Sequence, residues 1–151
     1  MEPGQLFEWS WLLGTYNRLN PAGKARPRIS SIAAHLHRCA KKYGLTHQLV
    51  QDGIMDDGTL THTSTRIWPQ TELMRLLACR QAEGAGDTGD TELLGSLTRN
   101  FCPTYAPAHL HGGWIDRLGA DGTPAVDHMP ASSLYHIYGA AKAHLALTRR
   151  A

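Results

Sequence analysis

Hydrophobic and polar positions along the chain predict five helices separated by two polar, turn-rich segments. The first helix begins at the sequence EPGQLFEWSWLL, in which aromatic and leucine residues are closely spaced. The apolar residues of this stretch fall on two adjacent helical faces, with Leu6, Trp9, Leu12 and Leu13 on one and Phe7 and Trp11 on the next. A helix that is apolar over most of its circumference needs packing partners on several sides. We therefore expect later segments to wrap it, or the chain to enter its fold partway through.

Four further helices are predicted from apolar stripes at helical spacing, over 28–43, 69–83, 90–105 and 130–149. Arg26-Pro27 is interpreted as a loop before the second helix, and Pro69 as part of the first turn of the third. Ser132 or Ser133 is the predicted cap of the last helix.

Two β-hairpins are predicted between these helices, over 48–67 and 112–126. Each contains an Asp-Gly turn, at Asp57-Gly58 and at Asp121-Gly122. The order of elements is thus a weak repeat, in which two helices are followed by a hairpin. Such a repeat is typical of stacked helical hairpins, as in α/α toroids or solenoids, with the loops gathered at one rim.

Composition indicates one globular domain. The chain has 151 residues, of which 42% are hydrophobic and 19% charged, and its formal net charge of +2 is too small to indicate a nucleic-acid or membrane partner. It shows no signal peptide and no apolar run near eighteen residues, so we expect a cytoplasmic protein. The odd number of widely spaced cysteines, Cys39, Cys79 and Cys102, indicates buried reduced thiols and not disulfides or a zinc site.

Candidate chemistry lies next to the predicted loops. Gln5 and Glu8 share a helix face, although Glu8 could simply complement the helix dipole. Arg66, Trp68 and Glu72 offer a cation, an indole and a carboxylate, a combination that suits sugar binding; the alternative is a surface arginine, a core indole and a capping carboxylate.

Histidine is the other candidate group. His136, one turn inside the last helix, could transfer a proton near neutral pH or could be a structural residue. His35 and His37 lie two apart on a helix and point to different sides, whereas His109 and His111 have no third ligand nearby. We therefore expect no metal site.

Four passages of the chain resemble the N-acylglucosamine 2-epimerase family, which includes bacterial mannose and phosphomannose-type aldose–ketose isomerases. They are EPGQLFEWSWLL at 2–13, RIWPQTE at 66–72, WIDRLGADGTP at 114–124 and PASSLYHI at 130–137. The resemblance extends over essentially the whole chain and implies an (α/α)6 barrel. It also implies that residues 1–151 form a single partial domain, the C-terminal portion of such a barrel, all-α with short β-hairpins and about five helices.

The resemblance also implies a mechanism in which two histidines act as acid and base on an open-chain sugar through an enediolate, without a metal or other cofactor. His136 matches one of these histidines. The other belongs to an EPGH pattern, and this chain has Gln5 in its place. Glu8 matches the glutamate beside it and could substitute for the missing histidine. The resemblance also implies that the sugar is bound by Trp9, Arg66, Trp68 and Glu72.

The resemblance implies a sugar 2-epimerase or aldose–ketose isomerase of the mannose–fructose or N-acylglucosamine type, present as a C-terminal fragment. The alternative is an inactive remnant or a carbohydrate-binding or interaction module. The expected partners are a small sugar and either a second copy or a complementing N-terminal half-barrel. A broken or misread longer gene would also explain a chain that begins within a barrel.

Overall fold

The computed structural model describes residues 1–149, and its helical content agrees with the predicted all-α class with short β-segments. In chain order the elements are α1 (Pro3–Leu19), α2 (Arg26–Tyr43), β1 (Leu45–Thr46), β2 (Leu49–Val50), β3 (Thr65–Arg66), α3 (Ile67–Ala82), α4 (Thr88–Tyr105), a 3₁₀ turn (Ala108–Leu110), β4 (Arg117–Leu118) and α5 (Ala131–Thr148). The two strand pairs, β1–β2 and β3–β4, are antiparallel.

Helix α3 is the centre of the structure. Ten of its 16 residues are buried, including polar ones, because α1, α4 and α5 all pack against it. Helices α1, α3 and α5 therefore form one row. Helix α2 packs on α1 and helix α4 packs on α3, so these two helices form a second layer. This two-layer arrangement of helical hairpins is the one that the sequence repeat predicts.

The packed face of α1 agrees only in part with the predicted apolar faces. The helix buries Pro3, Gly4, Phe7, Ser10 and Asn17, whereas Trp9 is 56% exposed. Small residues decide this orientation, because a Cβ at Gly4 would lie 2.7 Å from the Trp68 ring and only glycine allows the approach.

Two polar side chains on that face donate hydrogen bonds to the neighbouring helix α2. The Ser10 hydroxyl donates to the Ala33 carbonyl at 2.9 Å, and the Asn17 amide donates to the Arg26 carbonyl at 3.1 Å. Of the predicted apolar positions, Phe7 is fully buried, and Leu6 and Trp11 pack against the core; only Trp9 is largely exposed. Hydropathy gave no sign that Ser10 and Asn17 are buried as well.

Both predicted hairpins are reduced to tight turns. Gly58 and Gly122 have positive φ in the expected turns, but each hairpin retains only a single bridge, Ile54 with Leu60 and Leu118 with Pro124. The longer ladder forms between the two segments, where Thr65–Arg66 pairs with Arg117–Leu118. Pro124 has no N–H to extend its own ladder.

Several local predictions also need correction. Arg26-Pro27 forms the first turn of α2, and α3 begins at Ile67, two residues before Pro69. Pro130 occupies the N-cap position of α5 without a side-chain cap, so neither serine caps this helix. Of the cysteines, Cys102 is exposed and the other two are half-buried, and all three are free thiols.

A buried ionic cluster connects α2, α3 and α4. The Asp90 carboxylate, at the start of α4, is 0% exposed and accepts hydrogen bonds from Lys41 Nζ of α2 at 2.8 Å and from Arg80 Nε of α3 at 2.9 Å. Burial by itself raises the pKa of Asp90, but the hydrogen bonds from Lys41 and Arg80 outweigh it and hold the pKa below its usual 3.8. The cluster therefore stabilises the folded state in its ionised form.

Helix α5 is the least covered of the five helices. It buries only two residues, although it is rich in apolar side chains, and those with large exposed areas are Leu134, Tyr135, Tyr138 and Leu145. Within residues 1–149, no helix combines the length and apolar character that a membrane span requires.

We expect Asp90→Asn to lower the free energy of unfolding at pH 7 by about 2 kcal/mol, the usual scale for hydrogen bonds to a charged group. Because the folded-state pKa lies below the unfolded-state value of 3.8, the stabilisation is complete above about pH 5 and is lost as the pH falls through the folded-state pKa. The free energy of unfolding, measured in urea, should therefore differ less between wild type and variant as the pH falls from 5 to 2. Asp87→Asn, which keeps a good N-cap at the same turn, is the matched control. A difference that does not depend on pH would contradict the ionic origin.

Candidate active site

A polar pocket of about 450 Å³ lies where the N-terminal ends of α1, α3 and α5 meet the β3–β4 pair. Its size is within the range of small-molecule sites. The side chains around it come from segments far apart in the sequence: Gln5, Glu8, Arg66, Trp68, Asp116, Arg117, His128, Pro130, Ser132, Ser133 and His136. The helix hairpins thus gather their loop-proximal polar residues at one rim.

His136 and Glu72 form the central pair of this pocket. His136 Nδ1 lies 2.6 Å from Glu72 Oε1, and the Glu72 carboxylate is 0% exposed. The second carboxylate oxygen, Oε2, accepts the Trp11 indole N–H at 2.5 Å. An ionised Glu72 requires the hydrogen on Nδ1, which leaves His136 Nε2 as the nitrogen that can accept a proton.

Aromatic rings hold the imidazole from two sides. The Trp68 ring centroid lies 5.3 Å from that of His136, and the Tyr135 ring centroid lies 4.1 Å away. The Tyr135 hydroxyl donates to Glu8 Oε1 at 2.8 Å and so connects α5 with α1 across the pocket. Burial and the hydrogen bond to Glu8 raise the pKa of Tyr135 to about 12, which keeps the phenol a donor at neutral pH.

Arg66 is held in place by two carboxylates. Its Nε donates to Asp52 Oδ1 and its Nη2 to Glu2 Oε1, both at 3.1 Å, and its guanidinium lies 5.5 Å from the Trp68 ring centroid. Burial alone would lower the pKa of Arg66, but the carboxylates of Asp52 and Glu2 outweigh it and raise the pKa, so the guanidinium stays charged.

Asp116 joins three elements at the base of the pocket. Its carboxylate accepts the Ser133 hydroxyl of α5 at 2.7 Å, and its main-chain carbonyl accepts the N–H of Ile67, the first residue of α3, at 2.9 Å. Asp116 is buried, so both bonds fix the relative position of α3 and α5 where the site forms.

Most of the residues predicted from the sequence come together here. Gln5, Glu8, Arg66, Trp68 and His136 line the pocket, and Glu72 lies behind His136. The predicted Trp9 does not line the pocket and faces outward on α1.

Sequence reasoning missed several lining residues, namely Asp116, Arg117, His128, Ser132 and Ser133. The signals for Asp116 and Arg117 were their place in the family passage at 114–124 and their charges inside an apolar segment before an Asp-Gly turn. His128 had no local signal at all, because it reaches the pocket only through the path of the loop before α5.

The pocket also contains a group of possible metal ligands. Glu8, Glu72 and His136 each bring one ligand atom within 4.8 Å of the others. However, both Glu72 oxygens already accept hydrogen bonds, His136 Nδ1 is paired with one of them, and Glu8 binds the Tyr135 hydroxyl. The three side chains are thus engaged in hydrogen bonds, an arrangement that also suits proton transfer.

A second cavity of about 160 Å³ lies between the β1–β2 turn and α4. Its polar groups are largely paired with each other or with the backbone, through the contacts Gln48–Ser96, Tyr105–Thr65 and Gln70–Val50. The rim pocket is therefore the better candidate for chemistry.

Stacked helical hairpins with a polar pocket at the rim define an α/α-type protein with a small-molecule site. The family model for N-acylglucosamine 2-epimerase (GlcNAc 2-epimerase) matches residues 1–140. A mannose-6-phosphate isomerase of Rhizobium meliloti is 30% identical over 141 residues, which are 91% of this chain and 35% of that protein.

Two solved structures share the fold. A D-mannose isomerase aligns with a TM-score of 0.79 at 22% identity, over 96% of this chain and 37% of its own. A cellobiose 2-epimerase from Spirochaeta thermophila aligns with a TM-score of 0.80 at 14% identity, over 99% of this chain and 39% of its own. The chain belongs to the N-acylglucosamine 2-epimerase family and spans between a third and two fifths of the length of these relatives, which confirms the predicted family and a partial helical barrel.

We expect Glu8→Gln to lower the pKa of Tyr135 from about 12 by about one unit, because the carboxylate no longer opposes a negative charge on the phenol. At pH 11 the Tyr135 phenol should be mostly protonated in the wild type and substantially ionised in the variant. NMR titration of the tyrosine Cζ signals measures this. Tyr105, whose pKa burial also raises to about 12 without contact with Glu8, is an internal control and should not change. An unchanged Tyr135 titration would contradict the assigned hydrogen bond.

Proposed function

We propose that residues 1–151 form the C-terminal part of a sugar 2-epimerase or aldose–ketose isomerase, as one partial domain of a larger (α/α)6 barrel. The family match, the short span relative to the relatives and the row of three helices with a rim pocket support this proposal. The catalytic chemistry is proton transfer at the carbon next to a sugar carbonyl, through an enediolate.

The His136–Glu72 pair is the observation that carries the proposal. An imidazole whose Nδ1 is held by a buried carboxylate presents its Nε2 as a base, and after protonation the same nitrogen becomes the acid that returns the proton. Trp68 offers a ring face for the sugar, and Arg66 offers hydrogen-bond donors beside it. These residues can bind the substrate and move its proton without a redox group.

Gln5 limits which reaction the pocket can perform. Epimerisation removes a proton from one face of a carbon and returns one to the other face, which requires two proton-transferring groups on opposite sides. Glutamine cannot exchange a proton near neutral pH. A single base can instead return the proton to the neighbouring carbon on the same face, with Glu8 available to move protons between sugar oxygens. This argument favours aldose–ketose isomerisation.

The charges around the pocket favour a neutral sugar. Arg66 is paired with Asp52 and Glu2, and Arg117 Nε lies 3.7 Å from Asp52. Asp116 is a further carboxylate in the pocket wall, and Glu8 is another. A phosphate group would meet one guanidinium that two carboxylates already bind and a second one close to Asp52, together with the carboxylates of Asp116 and Glu8.

The second candidate function is a catalytically inactive remnant or a carbohydrate-binding module. Gln5 in the pocket wall and the partial span of the chain favour it. Under this alternative Trp68 and Arg66 retain sugar binding, whereas His136 has no proton to transfer.

We expect the chain, alone or completed in trans by the N-terminal part of a related isomerase, to interconvert D-mannose and D-fructose and to leave D-mannose 6-phosphate and N-acetyl-D-glucosamine largely unchanged. His136→Asn should lower kcat/KM by about 10²–10⁴, the usual contribution of a positioned acid or base. Proton NMR in D₂O follows both the products and the site of deuterium incorporation.

Gln5→His tests the second proton-transferring position in the same assay. It should add epimerised product, because it supplies a group on the other side of the substrate. Absence of turnover in all forms would reject the catalytic proposal, and sugar binding that persists in calorimetry would then support the binding-module alternative.

The exposed face of α5 indicates a macromolecular partner. Its apolar residues, among them Leu134, Tyr138 and Leu145, have no cover within the described part of the chain. We propose that a second copy or a complementing N-terminal half-barrel covers this face. The cytoplasmic location remains a prediction from the sequence.

We expect the purified chain to sediment as a dimer or larger species at micromolar concentration. Leu145→Glu together with Tyr138→Glu should shift it towards monomer, because charges on this face oppose its burial. Ile32→Glu, on the exposed side of α2, is the matched control. A monodisperse wild-type monomer in sedimentation velocity would contradict self-association.

A further inference from the structure

Trp11 contacts the proton-transferring pair from outside the pocket. It lies on α1, does not line the pocket, and donates its indole N–H to Glu72 Oε2 at 2.5 Å. The other oxygen of the same carboxylate is paired with His136 Nδ1 at 2.6 Å. The three side chains therefore form a continuous hydrogen-bonded chain from α1 through α3 to α5.

We propose that Trp11 is a positioning residue, which acts through Glu72 to fix the orientation and the tautomer of His136. The Glu72 carboxylate has no access to water, so each oxygen depends on one protein donor. If the indole N–H is removed, Oε2 has no assigned donor and the carboxylate can gain a hydrogen bond only by rotating. Rotation would loosen the contact with Nδ1 that keeps Nε2 free as the base.

Neighbouring residues keep the indole in this position. The Arg75 guanidinium lies 3.6 Å from the Trp11 ring centroid, and Arg75 in turn occupies the space beside Gly139 of α5. A Cβ at position 139 would lie 2.5 Å from Arg75 Nη1. Glycine at this position therefore makes room for the cation that covers the indole.

The inference rests on the proposed function only in assigning proton transfer to His136. Its test measures the tautomer of the His136 imidazole directly. We would record ¹⁵N–¹H long-range spectra of the histidine side chains in the full chain above neutral pH. Wild type should show His136 as one tautomer, with the hydrogen on Nδ1. In Trp11→Phe, which keeps an aromatic ring under Arg75, the two ring nitrogen shifts should move towards each other as both tautomers become populated.

Trp9→Phe, on the exposed side of the same helix, is the matched control and should leave the His136 signals unchanged. Glu72→Gln is the positive control, because it removes the carboxylate that selects the tautomer. If Trp11→Phe does not fold, the wild-type indole N–H of Trp11 provides the measurement. It should exchange slowly and resonate downfield of the N–H of Trp9, and a rapidly exchanging Trp11 N–H would overturn the proposal.

The outcomes separate the two proposals. A Trp11→Phe spectrum identical to wild type rejects the positioning role whether or not the chain turns over sugar. A mixture of tautomers in that variant, together with an inactive wild type, supports the positioning role and rejects the catalytic function.

Discussion

The buried carboxylate of Glu72 is the constraint on which the site depends. A charge with no access to water is tolerated only when each of its oxygens has a good donor. Trp11 and His136 supply these donors from α1 and α5, on either side of the helix that carries Glu72. The hydrogen bonds to this one carboxylate therefore align α1, α3 and α5. The same bonds orient the His136 imidazole, which faces the pocket.

A second network of charges builds the other wall. Asp52, buried in the segment before β3, accepts from the main-chain N–H and the guanidinium of Arg66 and from the Ser64 hydroxyl. Because Arg66 is the residue that precedes α3, the Asp52 carboxylate fixes both the start of this helix and the direction of the Arg66 guanidinium. The pocket thus has positioned donors with little net positive charge, and the proposal of a neutral sugar rests on this charge balance.

The partial span of the chain and the residue at position 5 bear on different aspects of function. Within residues 1–149 an apolar face of α5 is exposed, which bears on stability and association. Gln5 concerns the proposed chemistry, because glutamine cannot exchange a proton near neutral pH, whereas the contact between His136 and Glu72 is present. Under the proposed function, a single acid–base pair would suffice for a proton shift along one face of a sugar, so the two features need not have the same consequence.

The sequence by itself determined the five helices, their order and five of the eleven residues that line the pocket. It could do so because helical periodicity and turn residues are local signals, and because the family passages include Gln5, Glu8, Arg66, Trp68 and His136. It did not determine the packed face of α1, where Gly4 and Ser10 are buried and Trp9 is exposed. It also missed the pairing of β3 with β4 and the roles of Trp11 and Asp116. Those features depend on contacts between residues far apart in the chain, such as Trp11 with Glu72 over 61 positions, and only the tertiary structure decides which distant donor reaches a buried acceptor.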